Sequence, residues 1–479
     1  MKNLFLFTCL SLSAILFTNC ARNPVTGNRQ VVLMSEAQEI QMGQEADPQI
    51  IAQFGLYNDQ NLQNFINQRG QAMAKISHRP NIQYNFRVIN SEAINAFAVP
   101  GGYVYFTRGI MAHFNNEAEF MGVLGHEIGH ITARHTVAQQ RNALLGQIGL
   151  IAGMVLAPGL AQFGELASQG LGLLLLKYGR DAERQSDELG VEYSTKVGFD
   201  AREMADFFTT LERKGEESGQ AELPSFLSTH PNPGDRQTTV ARLATQYQQK
   251  LNVTNPQVNR ESYLRMIDGL IYGEDPKEGF LEAGIFYHPE LRFQFAAPTN
   301  WAYQNSPTQV QFASRDGKAM MLLTLGKGSS LNEAASAFVQ QYKMQVVQSD
   351  QTTVNGFPAL SVVADLQQQQ GVLRTQSMFI QYGTNIYQML GVSSSADFGA
   401  YRNVFLNSMQ SFRTLTDQAK INKKADRIRI KTVTTAGTLD QALRSFGMPA
   451  NRLNELSLLN GMQLSDRVTA GMLIKVLGQ

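Results

Sequence analysis

The chain has 479 residues, which exceeds what one hydrophobic core usually supports and predicts about two to four domains. Hydrophobic residues make up 43% of the chain and charged residues 17%, the balance of an ordinary folded protein. The formal net charge is +1, so charge gives no case for a nucleic-acid partner or a strongly acidic substrate.

The first 20 residues predict a targeting segment. Lys2 precedes an apolar run from Leu4 to Phe17, which ends shortly before Cys20. The run is too short to serve as a lasting membrane span. Cys9 and Cys20 are the only cysteines, so cleavage before Cys20 would leave the mature chain unable to form an internal disulfide, even in an oxidising compartment.

A cysteine at this place resembles a bacterial lipoprotein box. The resemblance implies a signal peptide over residues 1–20 and lipid on Cys20, and more than one acyl chain would anchor the protein firmly. Phe17-Thr18-Asn19 departs from the small residue that usually precedes the cysteine, whereas Ala21, in place of Asp, resembles lipoproteins sent on to the outer membrane. We therefore expect an outer-membrane lipoprotein on the periplasmic side of a bacterial cell envelope.

Patterns ahead of residue 110 predict a capped helix followed by strands. Ser35, with Gln38 three residues later, predicts an N-capped helix. Ile82 to Ile89 alternates as a strand does, and Phe97 to Phe106 predicts a strand and turn broken by Pro100-Gly101-Gly102. An exposed strand here could pair with an extended peptide by β-augmentation. A core hairpin without substrate contact is the alternative.

An HExxH motif lies inside an apolar, helix-like run. His126 and His130 are four residues apart, so both can hold one metal from the same helix face, and Glu127 can act as general base on an activated water. Imidazole ligands suit Zn²⁺. Solvated histidines on a surface helix are the alternative, which the apolar flanks weaken. These flanking residues are Phe120, Met121, Val123, Leu124, Ile128 and Ile131.

Neighbouring residues predict how the metal helix begins. Asn116, with Glu119 three residues later, predicts a capping box at its start. His135 lies off the ligand face, nine residues after His126, and we expect either a surface group or a group that supports a ligand from behind. The histidines without a partner pattern are expected to be structural or solvated: His78, His113 and His288.

Residues 143–176 contain two apolar runs, from Ala143 to Ala157 and from Leu160 to Leu176, split by Pro158-Gly159. Polar residues interrupt both runs, so neither reaches the ~20 clean apolar residues of a membrane span. We predict a Gly-rich helical hairpin that covers the cleft or lies against a membrane or an apolar client. Packing as ordinary core is an equal alternative.

A catalytic zinc usually takes three protein ligands, and the next candidate is Glu183. Asp187 is four residues further on, so it can lie on the same helix face and orient a ligand. Spacing alone leaves an ordinary charged helix surface equally open.

His230 lies in a proline-rich loop that follows a charged helix. Its imidazole could polarise the scissile carbonyl or stabilise an oxyanion. It could instead bind the zinc as a fourth ligand and hold the enzyme off. A histidine that only stabilises the turn is the alternative.

The HExxH helix followed by an ExxxD helix resembles the membrane-associated zinc metallopeptidases of the HtpX, Oma and Ste type, a gluzincin family (peptidase family M48). The resemblance covers about residues 23–250 and implies a mostly α-helical zincin-type domain with a small sheet, over residues 21–250. It implies one Zn²⁺ per chain, Glu183 as third ligand and Asp187 in support; Ser186 stands where the family usually has Ala. Three further stretches carry the match: Asn95-Ala96-Phe97-Ala98 with Val99-Pro100-Gly101-Gly102, Asn116-Glu117-Ala118-Glu119, and Ser228-Thr229-His230-Pro231 with Asp235-Arg236. For Asn95, Ala96, Phe97 and Ala98 the resemblance implies a substrate-binding strand.

Residues 280–415 predict an α+β domain. Six strand-like runs surround two helical stretches, Leu331 to Val347 and Ala396 to Met409. The order, with Phe293-Gln294-Phe295 before Pro298 and Trp301, resembles the PsbP-like or Mog-like fold. The region contains no catalytic constellation, so we expect scaffolding or client binding.

The tail over residues 428–479 predicts the order strand, helix, helix, strand. It resembles a LysM module, and the resemblance implies binding of N-acetylglucosamine-containing glycans such as peptidoglycan. Ala436-Gly437-Thr438 lacks the Asp of the usual Gly-Asp-Thr turn.

Together these expectations describe a zinc-dependent endopeptidase that hydrolyses misfolded or misassembled envelope proteins, with Glu127 and His230 as catalytic groups and no nucleic-acid partner. Two other functions stay open. One is a latent or non-proteolytic zinc-bound chaperone or assembly factor, clamped by His230 or covered by residues 143–176. The other is a cell-wall-binding structural lipoprotein.

Overall fold

The structure, a computed structural model, describes residues 20–31, 34–137, 178–217, 225–230, 235–368 and 371–479. The predicted signal peptide before Cys20 and the hairpin predicted for residues 143–176 lie outside these ranges. The same holds for Pro231-Asn232-Pro233, directly after His230.

The first part of the chain is mostly helical with a small sheet, as predicted. Its strands are β1 (Cys20–Arg22), β2 (Arg29–Val31), β3 (Asn85–Ile89), β4 (Ala96–Val99) and β5 (Tyr103–Thr107). Its helices are α1 (Glu36–Phe54), α2 (Gln60–Ala74), α3 (Arg108–His113), α4 (Glu117–Thr132), α5 (Arg180–Lys196), α6 (Glu203–Glu217), α7 (Ser225–Thr229), α8 (Arg236–Lys250) and α9 (Arg260–Met266). Within the described ranges, none of the helices is both long and apolar enough to cross a bilayer.

Helix α1 begins at the predicted cap. The Ser35 side chain accepts from the Gln38 amide, and the Gln38 side chain accepts from the Ser35 amide, so both donors are satisfied. Glu39, one turn into the helix, is buried and accepts from Arg79 at 2.7 Å and from Arg134 at 2.8 Å. These bonds hold α1 against the end of helix α4.

The small sheet has the strand order β3-β5-β4, with β3 parallel and β4 antiparallel to β5. The turn between β4 and β5 needs glycine because Gly101 has φ +82° and a Cβ there would lie 2.7 Å from the Glu39 carbonyl oxygen. The predicted strand and turn are therefore confirmed. Strand β4 is the last strand of the sheet on that side and packs against helix α4.

Helix α4 carries the HExxH motif through the middle of the core, and all of its residues are buried. It crosses helix α5 at two glycines. A Cβ on Gly125 would lie 2.9 Å from the Gly190 carbonyl oxygen and 3.0 Å from the Gly190 Cα. This close approach, which only glycine permits, brings the face that carries His126 next to the helix that carries Glu183.

The middle of the chain forms two sheets and two helices. The elements are β6 (Ile271–Tyr272), β7 (Phe280–Glu282), β8 (Ile285–His288), β9 (Phe293–Ala296), β10 (Ala302–Ser306), β11 (Gln309–Ala313), β12 (Ala319–Leu325), α10 (Leu331–Gln341), β13 (Gln345–Val354), β14 (Phe357–Gln368), β15 (Gly371–Tyr382), β16 (Asn385–Ser394), α11 (Phe398–Gln410) and β17 (Arg413–Thr414). Seven strands form an antiparallel sheet with the order β10-β11-β12-β16-β15-β14-β13, and a smaller sheet has the order β17-β9-β8-β7. Helices α10 and α11 pack on opposite faces of the larger sheet. The resemblance to PsbP-like or Mog-like folds stays a prediction.

One predicted helix in this region is too long. Helix α10 ends at Gln341, and the residues predicted as its last turn begin strand β13 instead. Lys343 has φ +52°, a left-handed conformation that breaks the helix. The β-branched Val346 then pairs with Ala364 of β14.

The tail follows the predicted order of strand, helix, helix and strand, although its assignment as a LysM module stays a prediction. Its elements are α12 (Gln418–Ile421), β18 (Asp426–Thr432), β19 (Gly437–Thr438), α13 (Leu439–Ser445), α14 (Leu453–Leu459), β20 (Arg467–Val468) and β21 (Leu473–Gly478). Its apolar residues belong to the same hydrophobic cluster as those of the first region. The buried Lys475 ammonium donates to the carbonyl oxygens of Ala112 and Phe114 at 2.8 and 2.7 Å, and to that of Leu459 at 2.8 Å. The tail is therefore packed into the helical region.

Candidate metal centre

Helix α4 is capped at its start by Asn116, whose side chain accepts from the Glu119 amide at 2.9 Å. The predicted capping box is only half formed. The Glu119 carboxylate accepts from the Asn115 amide at 2.7 Å, one residue before the cap. The reason is that the Glu119 carboxylate bonds the Asn115 amide in place of the amide of the cap residue Asn116.

The structure brings together the three predicted metal ligands and His230. One ligand atom from each of His126, His130, Glu183 and His230 lies within 4.8 Å of the others, and all four residues are buried. His126 Nε2 lies 3.0 Å from His130 Nε2, 3.2 Å from His230 Nδ1 and 3.5 Å from Glu183 Oε2. Glu183 Oε1 lies 3.1 Å from His230 Nδ1 and 3.5 Å from His130 Nε2.

These separations fit a zinc ion. Ligand atoms at 2.0–2.1 Å around a tetrahedral Zn²⁺ are roughly 3.3 Å apart, which is the middle of the spacings found here. Burial holds the pKa values of His126 and His130 well below their usual range, so both imidazoles are neutral, the form that binds metal. Glu183 supplies a carboxylate: burial alone would raise its pKa, but the charge and hydrogen bond of His230 lower it.

Glu127 lies beside this cluster with its carboxylate buried. Its Oε1 is 3.6 Å from His230 Nε2. Among the described residues, neither carboxylate oxygen forms a hydrogen bond of normal distance and angle. Burial raises the pKa of Glu127 to about 7, while the charge of His230 opposes the rise and the Ala98 amide, which faces the carboxylate, lowers the pKa slightly. An unpaired buried carboxylate of this kind suits transfer of a proton near neutral pH.

Asp187 and Arg236 hold the His126 ring from the side away from the cluster. Asp187 Oδ1 lies 2.8 Å from His126 Nδ1. Arg236 donates to both Asp187 oxygens, at 2.7 and 2.8 Å, and stacks over the Phe208 ring at 3.9 Å. A proton on Nδ1 of His126 leaves Nε2 free to bind a metal. Asp187 therefore contacts His126, while its support of a zinc ligand stays a prediction.

Sequence reasoning assigned no role to Arg236. The only signal was its position in Asp235-Arg236, one of the stretches that resemble the family. Its guanidinium is buried and reaches Asp187 of helix α5 from the first residue of helix α8, a contact that depends on tertiary packing.

The strand predicted to bind substrate lies next to Glu127, because Ala98 in β4 faces that carboxylate. Ala96, Phe97 and Ala98 are buried, and Asn95 is partly buried. The segment that carries His230 occupies the approach to this strand. The Phe226 amide donates to the Ile94 carbonyl oxygen at 2.9 Å, and the Thr229 hydroxyl lies 3.4 Å from Asn95 Oδ1.

Other predicted groups lie as follows. His135 is buried beside His130, at 3.0 Å between their Nδ1 atoms, so the surface alternative is excluded. His113 is a buried structural residue whose Nδ1 bonds the Gly109 carbonyl oxygen. Cys20 lies in β1, and its side chain is outside the description.

A buried HExxH helix crossed by a second helix that supplies a glutamate defines the metal centre of a metallopeptidase. Residues 60–244 match the model of Peptidase family M48, a stretch that contains the HExxH helix and Glu183.

Relatives of this domain occur in bacteria and in mitochondria. The Beta-barrel assembly-enhancing protease of Escherichia coli O157:H7 is 30% identical over 231 residues, 47% of either chain. The Mitochondrial metalloendopeptidase OMA1 of Arabidopsis thaliana is 30% identical over 186 residues, 39% of this chain and 36% of that one. Metalloprotease YcaL of Escherichia coli (strain K12) is 26% identical over 250 residues, 49% of this chain and 95% of that one. The chain spans about half the length of the first of these relatives.

Proposed function

We propose that this chain is a zinc-dependent endopeptidase of the bacterial cell envelope. The observation that carries the proposal is the buried convergence of His126, His130, Glu183 and His230, with the unpaired carboxylate of Glu127 beside them. Four ligand atoms at zinc spacing and a buried carboxylate beside them are the parts that peptide hydrolysis needs.

His126, His130 and Glu183 would hold Zn²⁺, with His230 in reach as a fourth group. When bound, Zn²⁺ supplies a Lewis acid that polarises a peptide carbonyl and acidifies water. Glu127 accepts a proton from the attacking water at a carboxylate oxygen and delivers it to the leaving amine nitrogen.

We propose misfolded or misassembled envelope proteins as substrates. The support is the similarity to the Beta-barrel assembly-enhancing protease of Escherichia coli O157:H7, together with the lipoprotein-box resemblance around Cys20. Lipid on Cys20 would attach the chain to the outer membrane on its periplasmic side. Binding of peptidoglycan by residues 428–479 stays a prediction from resemblance alone.

The second candidate function is a latent, zinc-bound form, and one observation favours it. His230 Nδ1 lies 3.2 Å from His126 Nε2 and 3.1 Å from Glu183 Oε1, so His230 would be able to hold the ion together with the three other residues. A catalytic zinc keeps one position for water or substrate. With His230 as fourth ligand, the chain would be a latent, zinc-bound chaperone or assembly factor until His230 leaves its place.

The test is casein cleavage and zinc content, measured on the mature chain in parallel with Glu127→Gln and His230→Ala. The proposal expects zinc in all three, and cleavage lost in Glu127→Gln because that variant has no base. Higher cleavage by His230→Ala than by the unsubstituted chain would establish the latent form. Cleavage retained in Glu127→Gln would contradict the mechanism.

A further inference from the structure

The ring of His130 contacts a second histidine, His135, which lies outside the HExxH motif. His135, just past the end of helix α4, is 8% exposed. Its Nδ1 lies 3.0 Å from His130 Nδ1 and 3.2 Å from Ser186 Oγ, and its Nε2 lies 2.9 Å from Gln185 Oε1. Gln185 and Ser186 belong to helix α5, between Glu183 and Asp187, so His135 links the two helices that carry the metal ligands.

With Oε1 of Gln185 facing Nε2 of His135, the protons on the two histidines can be assigned as follows. His130 directs Nε2 toward Glu183 and His126, so its Nδ1 must carry the ring proton when Nε2 binds a metal. That proton is donated to Nδ1 of His135, which must then be an acceptor. A neutral His135 that accepts at Nδ1 carries its own proton on Nε2, and the partner found there is the carbonyl oxygen of Gln185, which only accepts.

We propose that His135 is the positioning residue for the zinc ligand His130: it accepts the ring N–H of His130 and, held by Gln185, keeps Nε2 of His130 turned toward the metal. The two histidine ligands are then supported by different chemistry. His126 is oriented by the carboxylate of Asp187, whereas His130 is oriented by a neutral imidazole. The inference rests on the proposed zinc site and adds a role for a residue that touches no zinc itself.

Substitutions at position 135 can separate the two nitrogens. The Oδ1 of asparagine reaches about the place of Nδ1 of histidine and can accept from His130. The terminal amide of glutamine reaches about the place of Nε2 and can only contact Gln185. His135→Asn therefore keeps the proposed contact, and His135→Gln removes it while keeping a polar side chain of similar size.

The measurement is the zinc dissociation constant of the full chain, from competition with a chelator, together with the ligand-field absorption spectrum of the Co²⁺-substituted protein. Loss of a group that orients a metal-binding histidine weakens metal affinity by about 10–100-fold. We expect that loss, and an altered Co²⁺ spectrum, for His135→Gln and His135→Ala. His135→Asn should stay within about threefold of the unsubstituted chain.

Two further variants complete the design. Gln185→Ala should weaken zinc binding less than His135→Ala, and the double variant should be no weaker than His135→Ala, because Gln185 acts through His135. His113→Ala is the matched control: it removes another buried histidine, whose contacts are with Gly109 and Tyr272 and not with the ligand cluster, and should leave zinc affinity unchanged.

Equal zinc affinity in His135→Gln, His135→Ala and the unsubstituted chain would overturn the inference while leaving the zinc site intact. Equal losses in His135→Asn and His135→Gln would also overturn it, since burial and not the Nδ1 contact would then matter. An unsubstituted chain that binds no zinc would instead remove the proposed function, and this inference with it.

Discussion

The crossing of helices α4 and α5 at Gly125 is the point where a single methyl group should disturb the metal centre most. In Gly125→Ala the added Cβ would lie 2.9 Å from the Gly190 carbonyl oxygen and 3.0 Å from the Gly190 Cα. Ordinary contacts of a Cβ begin at 3.4 Å, so the two helix backbones must separate by about half an ångström. Neither contact atom belongs to a flexible side chain, so rotation of a side chain cannot relieve the overlap.

Two losses follow from this separation. Overpacking a close-packed core costs about 1–3 kcal/mol of unfolding free energy. The shift also moves Glu183 relative to His126, and ligand placement tolerates only about half an ångström, so zinc affinity should fall by about tenfold or more.

The assay has two parts. Zinc affinity is measured by competition with a chelator, and the unfolding free energy is measured by urea unfolding in the presence of a chelator, with far-ultraviolet circular dichroism as the signal. Tryptophan fluorescence is unsuitable because the single tryptophan, Trp301, lies in the seven-stranded sheet region. Gly399→Ala is the control, since a Cβ at this exposed position in helix α11 has open space around it. Unchanged stability and zinc affinity in Gly125→Ala would refute the account of the helix crossing.

Three further outcomes follow from buried polar groups. Lys475→Met should lower the unfolding free energy by about 3 kcal/mol because three carbonyl oxygens lose their donor; the exposed Lys431→Met is the control, and equal urea midpoints would contradict this packing of the tail. Burial lowers the pKa of His113 to about 3. The imidazole of His113 is therefore neutral in the folded chain, whereas in the unfolded chain it binds a proton below about pH 6.5. Stability is full above that pH and falls below it, by about 2 kcal/mol at about pH 5; in His113→Gln the loss between about pH 8 and pH 5 should shrink by that amount, and an unchanged loss would count against a neutral His113. Asp187→Asn should weaken zinc binding by about 10–100-fold, since the carboxylate that orients His126 is lost, and an unchanged dissociation constant would argue against that contact.

The ligand set could be predicted because it depends on local spacing. His126 and His130 share a helix face whatever surrounds them, and the apolar flanks predicted that the helix is buried. Spacing alone left open whether Glu183 is a metal ligand, since a carboxylate in a charged helix is often simply solvated. The resemblance to the family, and not the spacing around Glu183, predicted that it is the third ligand.

The supporting residues could not be predicted in the same way. The places of His135 and Arg236 depend on how helix α5 packs against α4 and how helix α8 packs against α5, which involves contacts between residues far apart in the chain. Strand β13 was missed because the left-handed Lys343 ends helix α10 without a glycine or proline to mark the break. Lys475 gave no sign that its charge would be buried, since a lysine in a strand is usually solvated.

The most direct test of the central claim is the zinc K-edge absorption spectrum of the full chain, with zinc stoichiometry measured on the same sample. The account predicts one zinc per chain, bound by nitrogen and oxygen atoms alone at about 2.0–2.1 Å. In Glu183→Ala the spectrum should lose the carboxylate and the affinity should fall. A chain without zinc, a sulfur ligand, or a Glu183→Ala spectrum identical to that of the unsubstituted chain would contradict the metal centre described here.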